Sequence, residues 1–193
     1  EGTDTTHFSV IDARGNRVAA TLSVNGPFGA AFIAGDTGVL LNNHMNDFVL
    51  VDKAPNQFRL TGGAANRIEP GKRPLSSMSP TFVEDERGVL VLGTPGGSRI
   101  ISMILQAIVR HVDGSAAPEQ VAGAPRYHHQ YLPDRIEYEP GGFSDQWVAD
   151  LQARGHQVEA GRRKWGNMQI VYRDKKNGSI TVANDPRGLA GVL

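Results

Sequence analysis

The stretch Asp4-Thr5-Thr6-His7-Phe8-Ser9-Val10 decides the interpretation of this chain. A threonine hydroxyl inside a chain is a weak nucleophile. If the peptide bond between Asp4 and Thr5 is cut, Thr5 gains an α-amino group with a pKa of about 7.7–8.0, a few bonds from its own hydroxyl. One residue then carries both the nucleophile and its general base. Thr5 is therefore the first candidate catalytic residue.

The residues after Thr5 have the pattern of a β-hairpin. Segments 8–11 and 18–24 are rich in strand-forming residues and flank a turn-forming stretch at 12–16. A second hairpin is predicted near the other end of the sequence, with strands at 168–172 and 179–182 around Lys176-Asn177-Gly178. Between the hairpins the patterns predict short strands at 39–41 and 89–92, and helices at 100–112 and 143–155.

Composition excludes several classes of protein. The 193 residues fit one domain, and 20 basic residues balance 20 acidic ones, so no net field exists to attract nucleic acid. No apolar run approaches the roughly 20 residues of a membrane span, and the first residues lack the pattern of a signal peptide. There is no cysteine, which excludes disulfides and thiolate metal sites. The histidines show no metal-binding spacing, so no metal is predicted.

Three loops have the composition of functional segments. An amide-rich cluster at 42–47 follows a short apolar run, and residues 50–73 form a long stretch without periodicity, as lids often do. A glycine loop at 93–98 joins a buried strand to a helix, and its glycines allow close approach of the backbone to a ligand. This loop is no phosphate-binding P-loop, because the Gly-Lys-Ser/Thr ending is missing.

Four motifs in order resemble the small catalytic subunit of the γ-glutamyltranspeptidase family. They are Thr5-Thr6-His7, Leu41-Asn42-Asn43, the segment 72–80 (KRPLSSMSP) and the segment 95–100 (PGGSRI). The likeness covers nearly the whole chain, through Ala124-Pro125-Arg126 to Asp185-Pro186-Arg187.

The resemblance implies an α+β fold of the N-terminal nucleophile hydrolase type, a four-layer αββα sandwich with antiparallel sheets. A large and a small subunit build this sandwich after one precursor cuts itself before the catalytic threonine. Residues 1–4 would then precede the cut, and residues 5–193 would be the single-domain small subunit in a heterodimer. We expect this chain alone to expose apolar sheet surface and to aggregate. The resemblance also implies a periplasmic or secreted location and no cofactor.

The activity implied by the resemblance is cleavage of the γ-glutamyl amide bond of glutathione and related compounds. The γ-glutamyl group passes through a Thr5 acyl-enzyme to water or to an amino acid or peptide acceptor. Gly96 and Gly97 match the loop whose backbone N–H groups face the developing oxyanion. Ser23 falls where family members carry a hydroxyl that binds the nucleophile.

The substrate-binding residues implied by the family are Asn25, His44, Asp47, Ser76 and Ser77. The serines match a pair that binds the donor's α-carboxylate, and Asp47 matches the acid that pairs with its α-ammonium. Asn25 matches a further polar contact. The family also takes an arginine from the large subunit for the carboxylate, and no residue here matches it.

Two positions depart from the family pattern. At His44 the family usually has Gln or Glu, which accepts a hydrogen bond from the substrate ammonium; a protonated imidazole would repel that ammonium. Phe58 lies in the predicted lid, where many bacterial members have a tyrosine whose hydroxyl ties the lid shut. Without that hydroxyl we expect packing alone to hold the lid, and hence a weaker latch.

Taken singly, these residues also have structural explanations. The threonines suit a strand, the serines an ST-turn or helix cap, Asp47 a solvated loop and the glycines a helix-capping turn or an anion pocket. A Ser76–His44–Asp47 triad ranks far below the threonine, because no G-x-S-x-G elbow is present. The functional alternatives are an acylase for glutaryl-type (cephalosporin) side chains, motivated by His44, and an uncut, inactive γ-glutamyl-binding form.

Overall fold

The structure, a computed structural model, describes residues 4–51 and 53–188. Among these residues no helix is both long and apolar enough to cross a membrane. The strands are β1 (Thr5–Ile11), β2 (Arg17–Ser23), β3 (Thr81–Glu84), β4 (Gly88–Gly93), β5 (Tyr127–Tyr131), β6 (Asp134–Tyr138), β7 (Val158–Ala160), β8 (Gln169–Asp174) and β9 (Ile180–Asn184). The α-helices are α1 (Arg99–Val112), α2 (Pro118–Gly123) and α3 (Asp145–Ala153).

The centre of the fold is an antiparallel sheet with strand order β3-β4-β8-β9. Every residue of β4 is buried, so both of its faces are covered. On one face Leu90, Leu92 and Ile170 join the core formed with α1 and α2. Helix α1 presents Ile100, Met103, Ile104 and Ala107 to this core, at the spacing of one helix face.

The hairpin β1-β2 covers the opposite face of the sheet. Both edges of β4 and both edges of β8 are already paired, so the contacts of the hairpin with these strands must be made across the face. Helices, central sheet and hairpin therefore form three successive layers. The predicted α+β class is confirmed, and so are the antiparallel sheets, since every strand pair of the hairpin and of the central sheet is antiparallel and β6-β7 is a parallel pair in the third sheet. The third sheet, β5-β6-β7, lies beside α1.

Most of the predicted elements are present, and their bounds differ by a few residues. Both hairpins, the buried strand and the two helices form as predicted. The strand predicted at residues 39–41 is wrong, because Leu40 makes only an isolated bridge to Ile33. In the described part of the loop 50–73 (residues 50, 51 and 53–73) the regular elements are a short 3-10 turn at Ala64–Asn66 and a bridge from Arg67 to Val49. The patterns did not predict the short strands β3, β5, β6 and β7, nor α2.

Two motifs that are distant in sequence meet in a buried cluster of charges. Arg126 Nη2 lies 2.5 Å from Asp185 Oδ2, and Arg187 Nη1 lies 2.9 Å from Asp185 Oδ1. Arg187 also binds both carboxylate oxygens of Glu139. Two positive charges thus meet two negative ones. Backbone N–H groups add hydrogen bonds to the same carboxylates, from Met168 to Asp185 and from Arg126 and Trp165 to Glu139.

Replacing Asp185 by asparagine is expected to destabilise the protein by about 3–5 kcal/mol, because it leaves buried arginine charge without its partner. Chemical denaturation of the whole protein measures this loss. The control is Asp134→Asn, whose carboxylate is exposed and pairs with His129; exposed pairs contribute about 1 kcal/mol or less. Equal losses in the two variants would show that the cluster has no special role in stability.

Candidate active site

One cavity of about 240 Å³ brings together every site residue predicted from the sequence. The hairpin, the amide-rich loop, the lid, the serine segment and the glycine loop each contribute to its wall. The predicted residues that line it are Thr5, Ser23, Asn25, His44, Asp47, Phe58, Ser76, Ser77, Gly96 and Gly97.

The hydroxyls of Thr5 and Ser23 form a hydrogen-bonded pair. The register of the hairpin places Thr5 directly opposite Ser23, and their side-chain oxygens are 2.8 Å apart. The backbone N–H of Asn25 donates to Ser23 Oγ at 2.8 Å, which fixes that hydroxyl in place. The carbonyl oxygen of Asp4, the residue bonded to the nitrogen of Thr5, accepts a hydrogen bond from Val24 N at 3.2 Å.

His7 locks β1 onto the central sheet. Ser9 Oγ gives its proton to the carbonyl of Gln169, so His7 Nε2 must donate to Ser9 and His7 Nδ1 must accept from Thr21 Oγ1. Burial lowers the pKa of His7 from 6.5 to about 4, so the ring is neutral at physiological pH. The ring also lies against Gly93, where a Cβ would come within 2.2 Å of it. Strand β1, which carries Thr5, is thereby held against β4, the strand that leads into the glycine loop.

The glycine loop offers two free backbone donors. Gly96 and Gly97 have φ values of 146° and 58°, which disfavour any residue with a Cβ. Within the described part of the chain neither N–H donates a hydrogen bond. The loop continues into α1 through bonds from Arg99 N to Gly96 O and from Ile100 N to Gly97 O. Its N–H groups therefore lie at a helix N-terminus, where the partial positive charge favours an anion.

His44 and Asp47 are bonded to each other. A 3-10 turn over His44–Asp47 brings side chains three residues apart onto one side, and Nδ1 of the imidazole lies 2.9 Å from Oδ2 of the carboxylate. The other ring nitrogen lies 3.3 Å from the carbonyl oxygen of Ser23. Both of these partners are acceptors, so a ring with protons on both nitrogens donates to both. The carboxylate of Asp47 is only 7% exposed and has a cationic side chain as its neighbour whenever His44 is protonated.

Two asparagine side chains brace the segments that line the cavity. Asn66 Nδ2 donates to the carbonyl of Asp47 at 2.8 Å, and its Oδ1 accepts from Leu75 N at 3.0 Å, next to the serine pair. Asn43 Oδ1 accepts from Gly26 N at 2.8 Å. Asn66 was not predicted as a site residue, because its partners are 9 and 19 residues away and no local pattern marks it.

The serine pair has hydroxyls available to a ligand. Ser76 Oγ accepts a hydrogen bond from Met78 N at 3.1 Å, the ST-turn that serine favours, and retains its own proton for donation. Within the described residues the hydroxyl of Ser77 has no hydrogen-bond partner. The structural explanation of Ser76 is therefore correct without excluding a binding role.

The lid is held by more than packing. The ring of Phe58 rests on Gly97, where a Cβ would lie 2.8 Å from Phe58 Cε1. Gln130 Nε2 also donates to the carbonyl of Phe58 at 2.9 Å, and Gln130 Oε1 is 2.9 Å from His128 Nε2. Asn56 Oδ1 accepts from the N–H groups of residues 58 and 60. The expectation that packing alone holds the lid is therefore wrong. Gln130 was missed because it is 72 residues away from the lid.

Comparison with known proteins identifies the family. The family model described as gamma-glutamyltranspeptidase matches residues 1–193. The chain belongs to the γ-glutamyltranspeptidase family. It is 44% identical over 190 residues to the glutathione hydrolase proenzyme of Escherichia coli K12, covering 98% of this chain and 32% of that protein. The chain thus spans about a third of the length of this relative, and likewise of the glutathione hydrolase proenzyme of Pseudomonas aeruginosa, to which it is 41% identical over 187 residues.

Solved structures show the same fold. The γ-glutamyltranspeptidase of Helicobacter pylori superposes with a TM-score of 0.89 at 39% identity, over 95% of this chain and 100% of the matched one. The cephalosporin acylase of Bacillus halodurans superposes with a TM-score of 0.77 at 23% identity, over 94% of this chain and 32% of that one. At this low identity the second match supports only a shared fold. The chain therefore has the N-terminal nucleophile hydrolase fold that its motifs indicated.

Proposed function

We propose that this γ-glutamyltranspeptidase chain is the catalytic small subunit of an enzyme that cleaves γ-glutamyl amides, including glutathione. The enzyme transfers the γ-glutamyl group to water or to an amino acid or peptide acceptor. The observation that carries the proposal is the meeting, in one cavity, of Thr5, the free N–H groups of Gly96 and Gly97, and the buried carboxylate of Asp47.

Activation begins with cleavage of the Asp4–Thr5 bond. Thr5 Oγ1 attacks the Asp4 carbonyl carbon, the C–N bond breaks, and an ester forms while the nitrogen becomes an amine. Water then hydrolyses the ester and releases the Thr5 hydroxyl. Val24 N–H already donates to the Asp4 carbonyl oxygen at 3.2 Å, so it is placed to stabilise the negative charge that develops there.

The freed amine then serves turnover. The Thr5 hydroxyl passes its proton to its own amine and attacks the γ-carbonyl of the donor. The glycine N–H groups stabilise the tetrahedral oxyanion, a contribution of about 2.7–4 kcal/mol per donor in other enzymes. The leaving amine takes the proton, and Thr5 remains as an ester until water or an acceptor amine attacks it. Ser23, 2.8 Å from the Thr5 hydroxyl, keeps that oxygen in position.

Donor recognition requires opposite charges on one carbon to be bound from two sides. Asp47 supplies the acid for the α-ammonium, while Ser76 and Ser77 supply donors for the α-carboxylate. Asn25 adds an amide at the same cavity wall. A buried carboxylate left without its ammonium partner would penalise donors that lack the amino group.

The outer face of the hairpin supports pairing with a large subunit from the same precursor. Phe8, Val10, Val18 and Leu22 point away from the central sheet and are 45–52% exposed. In the described part of the chain the hairpin has no strand on either edge. An apolar sheet face with open edges is a surface that another chain normally covers. The fourth layer of the sandwich would lie here.

Two p-nitroanilide donors test the donor class directly. The proposed function predicts that γ-glutamyl-p-nitroanilide is turned over faster than glutaryl-p-nitroanilide, which lacks the α-amino group. The glutaryl acylase remains the second candidate because His44 occupies the carboxylate of Asp47. A preference for the glutaryl donor at every pH would favour the acylase instead.

Replacing His44 by glutamine is expected to raise the preference for the γ-glutamyl over the glutaryl donor. In the original chain the imidazole lies 2.9 Å from an oxygen of Asp47 that the α-ammonium needs. Freeing that oxygen should raise the ratio of the two kcat/KM values by roughly tenfold, the effect of one charged hydrogen-bonding pair. The ratio cancels any change in the Thr5 nucleophile, which both donors share. An equal ratio in the original chain and in His44→Gln would contradict this role of His44.

A further inference from the structure

A second recess lies directly behind the lid residue. It has a volume of about 250 Å³ and shares Gln57, Phe58, Ser98 and Arg99 with the wall of the Thr5 cavity. The two spaces are thus neighbours that share the Phe58 side chain in their walls. The remaining residues of the recess are Arg59, His128, Gln130, Pro133, Arg135 and Glu137.

The charges of this recess leave one cation available. Arg99 pairs with Glu137 at 2.8 Å, and Arg135 pairs with Glu159 at 2.5 Å on β7. Arg59 makes no ion pair with any residue that the structure describes. Burial lowers the pKa of His128, so this ring adds no positive charge at neutral pH. The open guanidinium is therefore that of Arg59.

The backbone holds Arg59 firmly at this position. Its φ of 60° is unfavourable for a residue with a Cβ, and such conformations persist only where the surroundings impose them. Here the lid imposes it: Arg59 N donates to Asn56 O at 2.8 Å, while Asn56 Oδ1 accepts from Phe58 N and Leu60 N. The guanidinium is thus presented from a braced loop beside the Thr5 cavity.

We infer that this recess is the acceptor subsite, and that Arg59 binds the carboxylate of an amino acid or peptide acceptor. The inference rests on the proposed function. An acceptor amine must attack the γ-glutamyl ester on Thr5 from a space that adjoins the ester, and the recess adjoins that cavity across Phe58. Arginine binds carboxylates in a fixed, paired geometry, which would orient the amine of a short acceptor.

The step balances without any further reactant. The acceptor nitrogen attacks the ester carbon, the bond from that carbon to Thr5 Oγ1 breaks, and an amide forms. The proton of the acceptor amine passes to the Thr5 amine and then to the released hydroxyl. By microscopic reversibility the same recess holds the carboxylate-bearing amine that leaves when the donor is a γ-glutamyl peptide.

The test compares transfer with hydrolysis in Arg59→Gln, using γ-glutamyl-p-nitroanilide as the donor. Its leaving group has no carboxylate, so acylation does not require the proposed contact. With glycylglycine as the acceptor, the ratio of transfer to hydrolysis should fall about tenfold, the effect of losing one charged hydrogen-bonding pair. With glycylglycinamide, which lacks the carboxylate, the ratio should not change. Arg59→Lys should recover part of the loss with glycylglycine.

The control is Arg14→Gln, since Arg14 is an exposed arginine in the turn of the first hairpin. This variant should leave the ratio of transfer to hydrolysis unchanged with both glycylglycine and glycylglycinamide. An unchanged glycylglycine ratio in Arg59→Gln, or an equal fall with the amide, would overturn the subsite. Failure of the proposed function looks different, because the original chain would then not turn over the γ-glutamyl donor at all.

Discussion

Replacing Thr5 by alanine is expected to abolish both self-cleavage before residue 5 and turnover of γ-glutamyl donors. The variant has neither the attacking hydroxyl nor the means to free its own amine. Loss of a catalytic nucleophile costs about 10⁶-fold in kcat where it has been measured in another hydrolase. Gel analysis of the precursor and release of p-nitroaniline measure the two effects separately.

Thr6→Ala is the matched control. Thr6 is the next residue of β1, but its side chain is exposed on the outer face of the hairpin, opposite Leu22. This variant should cut itself and turn over the donor. Turnover by Thr5→Ala would require a mechanism without the threonine. A wild-type protein that stays uncut and binds γ-glutamyl ligands without turnover would instead be the inactive binding form.

Gly97→Ala is expected to lower kcat by about 10²–10³-fold, the loss typical of one oxyanion donor. A Cβ on Gly97 would lie 2.8 Å from the ring of Phe58, and the φ of +58° strains any residue other than glycine. Hydrogen bonds to Gln130 and Asn56 hold Phe58 in place, so the glycine loop must move and its N–H groups then miss the oxyanion. Self-cleavage should continue, because the Asp4 carbonyl is bound by Val24 N–H and not by this loop.

The control variant Gly178→Ala tests whether backbone strain alone lowers turnover, without a clash against the lid. Gly178 also has a positive φ, +73°, but a Cβ there would meet nothing within 4 Å. This variant bears the conformational cost without pushing on the lid, so its turnover should stay near that of the original chain. If Gly97→Ala were as active as Gly178→Ala, the glycine loop would not be the oxyanion site.

The parts of the fold that the sequence predicted are those with strong local patterns. The hairpin around residues 12–16 has side chains that alternate between its inner and outer faces, and a turn between its strands. The register of the hairpin places Thr5 opposite Ser23. The run at 89–92 is apolar on both faces because strand β4 is covered on both sides. The strand β7 has only three residues, too few to show a period, and the apolar run at 39–41 forms no strand because it makes a single bridge.

The candidate site was predicted by its motifs, but its internal contacts were not. The pairing of His44 with Asp47 depends on a 3-10 turn that no residue pattern marks. Asn66 and Gln130 support the site through bonds that span 19 and 72 residues, so only the folded chain reveals them. The burial of His7 could not be predicted from the sequence for the same reason, because the ring packs against Gly93 in another strand.

The amino-terminal residue of the active small chain tests the central claim most directly. Mass spectrometry of protein that turns over γ-glutamyl-p-nitroanilide should show a chain that begins at Thr5, with its amine free. A fully active protein in which Asp4 remains bonded to Thr5 would contradict the account, since the threonine nitrogen would then be an amide without basicity.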